Sequence, residues 1–173
     1  MISVTQENFT FYINKQEETA LLIKCQVSTG SLVIPSYAQF QDKNYKVISI
    51  EKDAFSGNFD SITFSPDSEV KIFKDGAFSR SIIKKLEIPP KLETLGVYIY
   101  NSYCKSINSI EDIELSPQNQ HFQYFYEKVL VGKDSYGKDA IFYIRPDVKE
   151  VHIPPCIQVL KKIIKVTQSE KWK

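Results

Sequence analysis

The side chains of this chain that could do chemistry are two histidines, three cysteines and one tight run of carboxylates. His121 stands before an aromatic-rich stretch and His152 lies inside Val-His-Ile-Pro-Pro. Neither has Cys, Asp or Glu at the spacing a zinc site uses, so no metal is expected. Cys25, Cys104 and Cys156 are widely separated and odd in number, which fits neither a redox pair nor a ligand quartet. Buried free thiols are the expectation. Glu111, Asp112 and Glu114 could in principle pair as acid and base, but nothing near them in sequence would raise one pKa above the other. There is no Gly-x-Ser-x-Gly elbow and no glycine-rich phosphate loop in a chain with six glycines. The sequence therefore predicts no catalysis and no cofactor.

Charge removes another class. The 22 basic and 21 acidic residues of this 173-residue chain nearly cancel. A nucleic-acid platform needs a basic stripe to neutralise phosphates, so no nucleic-acid partner is expected. No run approaches the ~20 apolar residues of a membrane span. The opening "MISVTQENFTFYINKQEE" has neither a basic n-region nor an apolar h-region, so it does not read as a signal peptide. Asn8-Phe9-Thr10 is a glycosylation sequon, relevant only to a secreted chain.

What remains is surface, and the elements that display it repeat. "LVIPS" at 32–36, "ITFSP" at 62–66, "LEIPP" at 86–90, "IELSP" at 113–117 and "VHIPP" at 151–155 share one pattern. Apolar–x–apolar is strand alternation, and a proline that cannot donate to a ladder ends each strand. Between the copies runs a second phrase. Val47-x-x-Ile50-x-x-x-Ala54-Phe55 returns 23 residues later as Val70-x-x-Phe73-x-x-x-Ala77-Phe78. A weaker copy, Leu92-x-x-Leu95-x-x-x-Ile99-Tyr100, follows after 22 more, and Ile157-x-x-Leu160 starts another. Such a period is that of leucine-rich repeats, in which each unit is one strand and a return segment. Ala is expected to let neighbouring coils approach while Phe fills the space between them.

Together the two phrases resemble the BspA-like leucine-rich repeat family of bacterial and protozoan surface antigens. Residues 9–34, "FTFYINKQEETALLIKCQVSTGSLVI", resemble the β-rich entry of such proteins. Residues 117–146, "PQNQHFQYFYEKVLVGKDSYGKDAIFYIRP", resemble the family's inserted hairpin, with Asn-x-x-Phe at its start. The fold expected is mainly β: a leucine-rich repeat solenoid of about five short strands with an N-terminal β cap and an inserted hairpin. All of 1–173 forms one domain, with the cap at 1–30, regular repeats at 31–106, a strand plus hairpin at 107–155 and an incomplete last repeat at 156–173. Gly132 and Gly137 suit the hairpin reversal, and Ile157, Leu160 and Ile164 fall at helical spacing in the tail. No polar cap is evident at the C-terminal end, which leaves fraying, pairing with another chain or continuation in a longer repeat array open there.

The resemblance implies a cell-surface protein that binds protein through its strand face; the missing signal peptide points instead to the cytoplasm. If apolar strand residues face inward, one outward column runs Val33, Thr63, Glu87, Glu114, His152, and a second runs Ser61, Lys85, Asp112, Glu150. Phe122, Tyr124, Phe125, Tyr126, Tyr136, Phe142 and Tyr143 crowd the hairpin, a density found at contact hot spots. Alternation predicts Tyr124, Tyr126 and Tyr143 outside. The candidate protein-binding residues are thus Thr63, Lys85, Glu87, Asp112, Glu114 and His152 with those three tyrosines. The function expected is non-catalytic protein recognition of the surface-antigen or adhesion type. An intracellular scaffold using the same surface is the alternative, and a glycan-binding protein a more distant one.

Overall fold

The apolar–x–apolar phrases are strands, and successive copies lie side by side. The computed structural model describes residues 2–96, 110–134, 137–145, 147–148, 157 and 159–160. Strands β4 (Thr29–Ile34), β7 (Ser56–Phe64), β9 (Arg80–Ile88) and β11 (Ile110–Leu115) form a four-stranded parallel sheet in chain order. The register is copy upon copy: Leu32 pairs with Ile62, Ile62 with Leu86, and Leu86 with Ile113. All four are buried, as their alternation requires.

The second phrase builds a second wall. In it β6 (Lys43–Ile50), β8 (Ile72–Phe73) and β10 (Thr94–Leu95) run parallel, with Ile50 beside Phe73 and Phe73 beside Leu95. The chain passes from one wall to the other and back: β4–β6, β7–β8 and β9–β10 are coils, and β11 opens the next. This is a mainly β solenoid, and no helix occurs among the described residues. Hence no helix there is long and apolar enough to cross a membrane.

The corners are held by the Ala-Phe pairs. Ala54, Phe55, Ala77 and Phe78 are all buried. The Phe55 amide donates to the Ala77 carbonyl across 3.2 Å, and the Cys25 amide donates to the Ala54 carbonyl across 2.7 Å. Phe55 stacks on Phe78 at 5.1 Å between ring centroids, Phe78 meets Phe73 edge-on at 5.4 Å, and Phe73 stacks on Phe64 at 5.7 Å. Aromatic contacts thus join the first coil to the second and line the interior of the second. Ile99-Tyr100, the third copy of the pair, lies outside the described residues.

At the N-terminal end β1 (Ile2–Gln6), β2 (Phe9–Asn14) and β3 (Thr19–Cys25) form an antiparallel meander, and β3 joins β6 in parallel. Beside it β5 (Tyr37–Phe40) folds back on β6, through Gln41 and Asp42 at φ 50° and 59°. Positive φ at both central residues is what a two-residue hairpin turn demands. Cys25 is a buried free thiol whose S–H donates to the Val27 carbonyl; burial pushes its pKa up.

The C-terminal part is a separate sheet of β12 (Phe122–Phe125), β13 (Val129–Lys133), β14 (Asp139–Ile144) and β15 (Val159–Leu160). Two expectations change here. Val159–Leu160, placed in a helical tail by spacing, is a strand running parallel to Ala140–Ile141 of β14. The open edge of β14 offers a ladder, and β-branched Val159 suits a pleated surface. Gly132 lies within β13 rather than in the reversal: a Cβ there would stand 2.3 Å from the Phe122 ring, so glycine makes room for that ring. Only Gly137, at φ 73°, serves the turn. The copy of the phrase at 151–155, with His152, lies outside the described residues, as do Cys104, Cys156, Tyr136, Glu150 and the rest of the tail.

Candidate functional site

Parallel register brings the predicted outward residues of β9 and β11 together. Lys85 stands opposite Asp112, and Glu87 opposite Glu114. Two carboxylates facing each other across neighbouring strands repel, and each turns to a different partner. Glu87, half-buried, accepts the Phe64 amide at 2.8 Å, which holds β7 to β9 where their regular pairing ends. Glu114 reaches the Lys85 ammonium at 2.5 Å and holds the Lys85 pKa above its ordinary value. Thr63 is half-buried, and its hydroxyl donates to the Leu32 carbonyl at 3.2 Å. Of the strand-face candidates, Thr63 and Glu87 therefore serve the sheet, whereas Lys85, Asp112 and Glu114 converge at one place.

The hairpin reaches that same place. Tyr124, Leu130 and Tyr143 are cross-strand neighbours in one row, so the two tyrosines share a face. That face turns towards β11. The Tyr143 hydroxyl donates to the Glu111 carbonyl and the Tyr124 hydroxyl to the Ile113 carbonyl, each at 2.6 Å. The carbonyls of a sheet edge need donors, and the phenols supply them. The predicted exposure of Tyr143 consequently does not hold, since it is 3% exposed, and Tyr124 is half-buried. Burial raises both phenol pKa values, that of Tyr143 to about 12. Tyr126 alone of the three stands out, 80% exposed in the β12–β13 turn with φ 51°.

Sequence reasoning missed Arg145. Its guanidinium lies over the Tyr124 ring, 5.4 Å from the centroid, and its Nε is buried without a hydrogen-bond partner. An arginine just past an aromatic strand was the available signal, since guanidinium groups seek ring faces. Lys85, Asp112, Ile113, Glu114, Leu115, Tyr124 and Arg145 line a concavity of about 260 Å³ between the strand face and the hairpin. Two cations, two carboxylates and an aromatic ring make a polar, charge-balanced recess. It can exchange ion pairs and hydrogen bonds with a partner.

The hairpin is seated by Asn119. Its side-chain amide donates to the Pro89 and Leu92 carbonyls at 2.8 and 3.0 Å, while its oxygen accepts the His121 and Phe122 amides at 2.8 and 2.9 Å. The Asn-x-x-Phe spacing is thus a joint between solenoid and hairpin. A second concavity, of about 410 Å³, lies at the β5–β6 turn among Gln39, Phe40, Gln41, Asp42 and Asn44, but the Lys15 ammonium covers its ring. Among the described residues no group of His, Cys, Asp and Glu could hold a metal ion.

No protein-family model matches the chain, and no curated protein matches it. Among solved structures it is similar to the pneumococcal vaccine antigen PcpA at 14% identity and a TM-score of 0.42, with 69% of this chain and 39% of that one covered. It is also similar to a leucine-rich repeat protein from Bacteroides capillosus at 17% identity and a TM-score of 0.40, covering 66% of this chain and 98% of that one. A leucine-rich cell surface protein from Faecalibacterium prausnitzii is 14% identical with a TM-score of 0.35, covering 91% of this chain and 65% of that one. The chain thus matches about two-fifths of the pneumococcal antigen's length and under two-thirds of the Faecalibacterium protein's.

Proposed function

We propose that the chain is a non-catalytic recognition module of the BspA-like surface type, which binds a protein partner at the rim where β9 and β11 meet the hairpin. The observation that carries this reading is the recess between Lys85, Asp112, Glu114, Tyr124 and Arg145, with the exposed ring of Tyr126 on the same hairpin. Its charges suit exchange. The Lys85 and Glu114 side chains are 46% and 55% exposed, and an ion pair at such exposure adds little to folding. A partner can replace it at small cost and bury the aromatic tip, the kind of residue on which binding energy concentrates.

The test is retention of partner protein by the immobilised chain from a detergent extract of cells. Lys85→Ala and Tyr126→Ala should each lower retention at least about tenfold, as hot-spot truncations do, without moving the melting temperature. Retention unaltered by both substitutions excludes this rim. Antibody staining of intact against permeabilised source cells separates display from an internal scaffold role, which would give signal only after permeabilisation.

A further inference from the structure

The two edges of the four-stranded parallel sheet differ. At β11 the Glu111 and Ile113 carbonyls already hold tyrosine hydroxyls. At the other end β4 pairs with β7, and among the described residues no strand pairs with its far side.

Alternation identifies the free groups. The Ile34 carbonyl accepts the Ser65 amide at 3.0 Å and the Leu32 carbonyl accepts the Thr63 hydroxyl, so both residues face β7. In a strand the N–H and C=O of one residue point to the same side, and the next residue's point to the other. Ser31 and Val33 therefore present their N–H and C=O outward. The register shift at Gly30/Ser31 ends this edge on one side, and Pro35, with no N–H, ends it on the other. The outer face beside this edge is open. Thr29, Ser31 and Val33 are exposed, Val33 at 61%, and a Cβ at Gly30 would meet only open space. No charged residue occurs from Cys25 to Gln41, so the lysine that commonly guards a sheet edge is missing.

We infer that this edge pairs antiparallel with the same edge of a second copy of the chain. The register follows from which groups are free. Leu32 meets its own equivalent on the two-fold axis, and Ser31 meets Val33 of the second copy on either side. Residues so paired exchange both backbone bonds, so the two Ser31–Val33 pairs make about four hydrogen bonds. The faces agree as well: Ser31 and Val33 are outward on both copies and Leu32 is buried on both, whereas a one-residue slip would set exposed against buried side chains. Head-to-tail growth would need β4 of one copy to add to β11 of another, and the tyrosine hydroxyls already occupy that edge. What remains is a closed, self-complementary dimer. Three residues a side fall well short of the roughly 800 Å² per partner of a stable complex, so the expected dissociation constant is on the order of 100 µM. Such a dimer would carry two recognition rims, a consequence that rests on the function proposed above; the pairing itself does not.

Sedimentation velocity over about 5 µM to 1 mM tests it, with circular dichroism as the check that each variant is folded. The unaltered chain should pass from monomer to dimer. Ser31→Lys with Val33→Lys sets like charges opposite each other and should weaken the dimer at least tenfold. Ser31→Glu with Val33→Lys sets Glu opposite Lys of the second copy and should restore it. Monomer throughout, a dimer indifferent to these charges, or species that grow beyond the dimer would each overturn the inference.

Discussion

Alkaline pH should open the contact between hairpin and solenoid before the rest of the molecule. The perturbation is loss of the phenol proton, since a phenolate has no hydrogen to donate to the Glu111 or Ile113 carbonyl. In the unfolded chain a tyrosine ionises near pH 10; in the folded chain burial pushes Tyr143 up to about 12, and Tyr124 moves in the same direction. Between those values the unfolded chain has shed a proton that the folded chain keeps, so rising pH favours unfolding. The contribution is whole below about pH 10 and lost as pH climbs through 12. Two pKa units at about 1.4 kcal/mol each set an upper bound of roughly 3 kcal/mol on the Tyr143 share, which solvent screening lowers. The assay is urea unfolding at about pH 9, 10, 11 and 12 for the parent chain and for Tyr124→Phe with Tyr143→Phe. At pH 9 the double variant should be weaker by about 1–3 kcal/mol, for two lost hydrogen bonds. With rising pH the gap should close and, by about pH 12, reverse, because only the parent carries these two phenols and it loses stability as each ionises. A constant gap across the range would refute the reasoning, since the hydroxyls would then contribute nothing that depends on their protons.

Phe78→Ala should cost about 3–5 kcal/mol in urea unfolding, because its buried ring contacts Phe55 of the preceding coil and Phe73 of its own; Phe78→Leu should cost clearly less. Gly57→Ala should cost about 3 kcal/mol or more by thermal unfolding: its φ is 142°, and a Cβ there would stand 2.1 Å from the Ser28 carbonyl oxygen. Asn119→Ala removes four hydrogen bonds at the hairpin joint and should cost about 2–4 kcal/mol. Amide hydrogen exchange should show that loss concentrated in β12 and β13.

The solenoid was legible because its information is periodic. Leu32, Ile62, Leu86 and Ile113 recur with a proline or serine behind them, and the same period orders Ile50, Phe73 and Leu95. Two phrases with a common spacing leave little choice but stacking. Positions with a single occurrence were harder. The β5–β6 hairpin inside the first coil turns on Gln41 and Asp42, which carry no Gly or Asn to announce their positive φ. Gly132 read as a turn because glycine usually marks one; its reason is a ring on the neighbouring strand. Alternation set Tyr124, Tyr126 and Tyr143 outside, because it carries no information on which side of the hairpin meets β11. Lys85, Asp112 and Glu114 were found from the repeat. Arg145 was not, because it joins them only through tertiary packing over Tyr124.

The N-terminal meander has a kinetic meaning. Its pairings span short stretches of chain, such as Gln6 with Phe9 and Asn14 with Thr19, whereas each parallel pairing of the two solenoid walls must close a loop of more than twenty residues, as in Ile50 with Phe73. Loop closure is an entropic cost met before any contact repays it, so the meander should order first and offer β3 as a template for β6. Coils would then add in the direction in which a ribosome releases the chain. Pulse-labelled hydrogen exchange during refolding should protect β2 and β3 ahead of β9 and β11, and the reverse order would count against a directional mechanism. A nascent chain that folds this way presents one growing end at a time, and each new strand meets its intended neighbour before a foreign one.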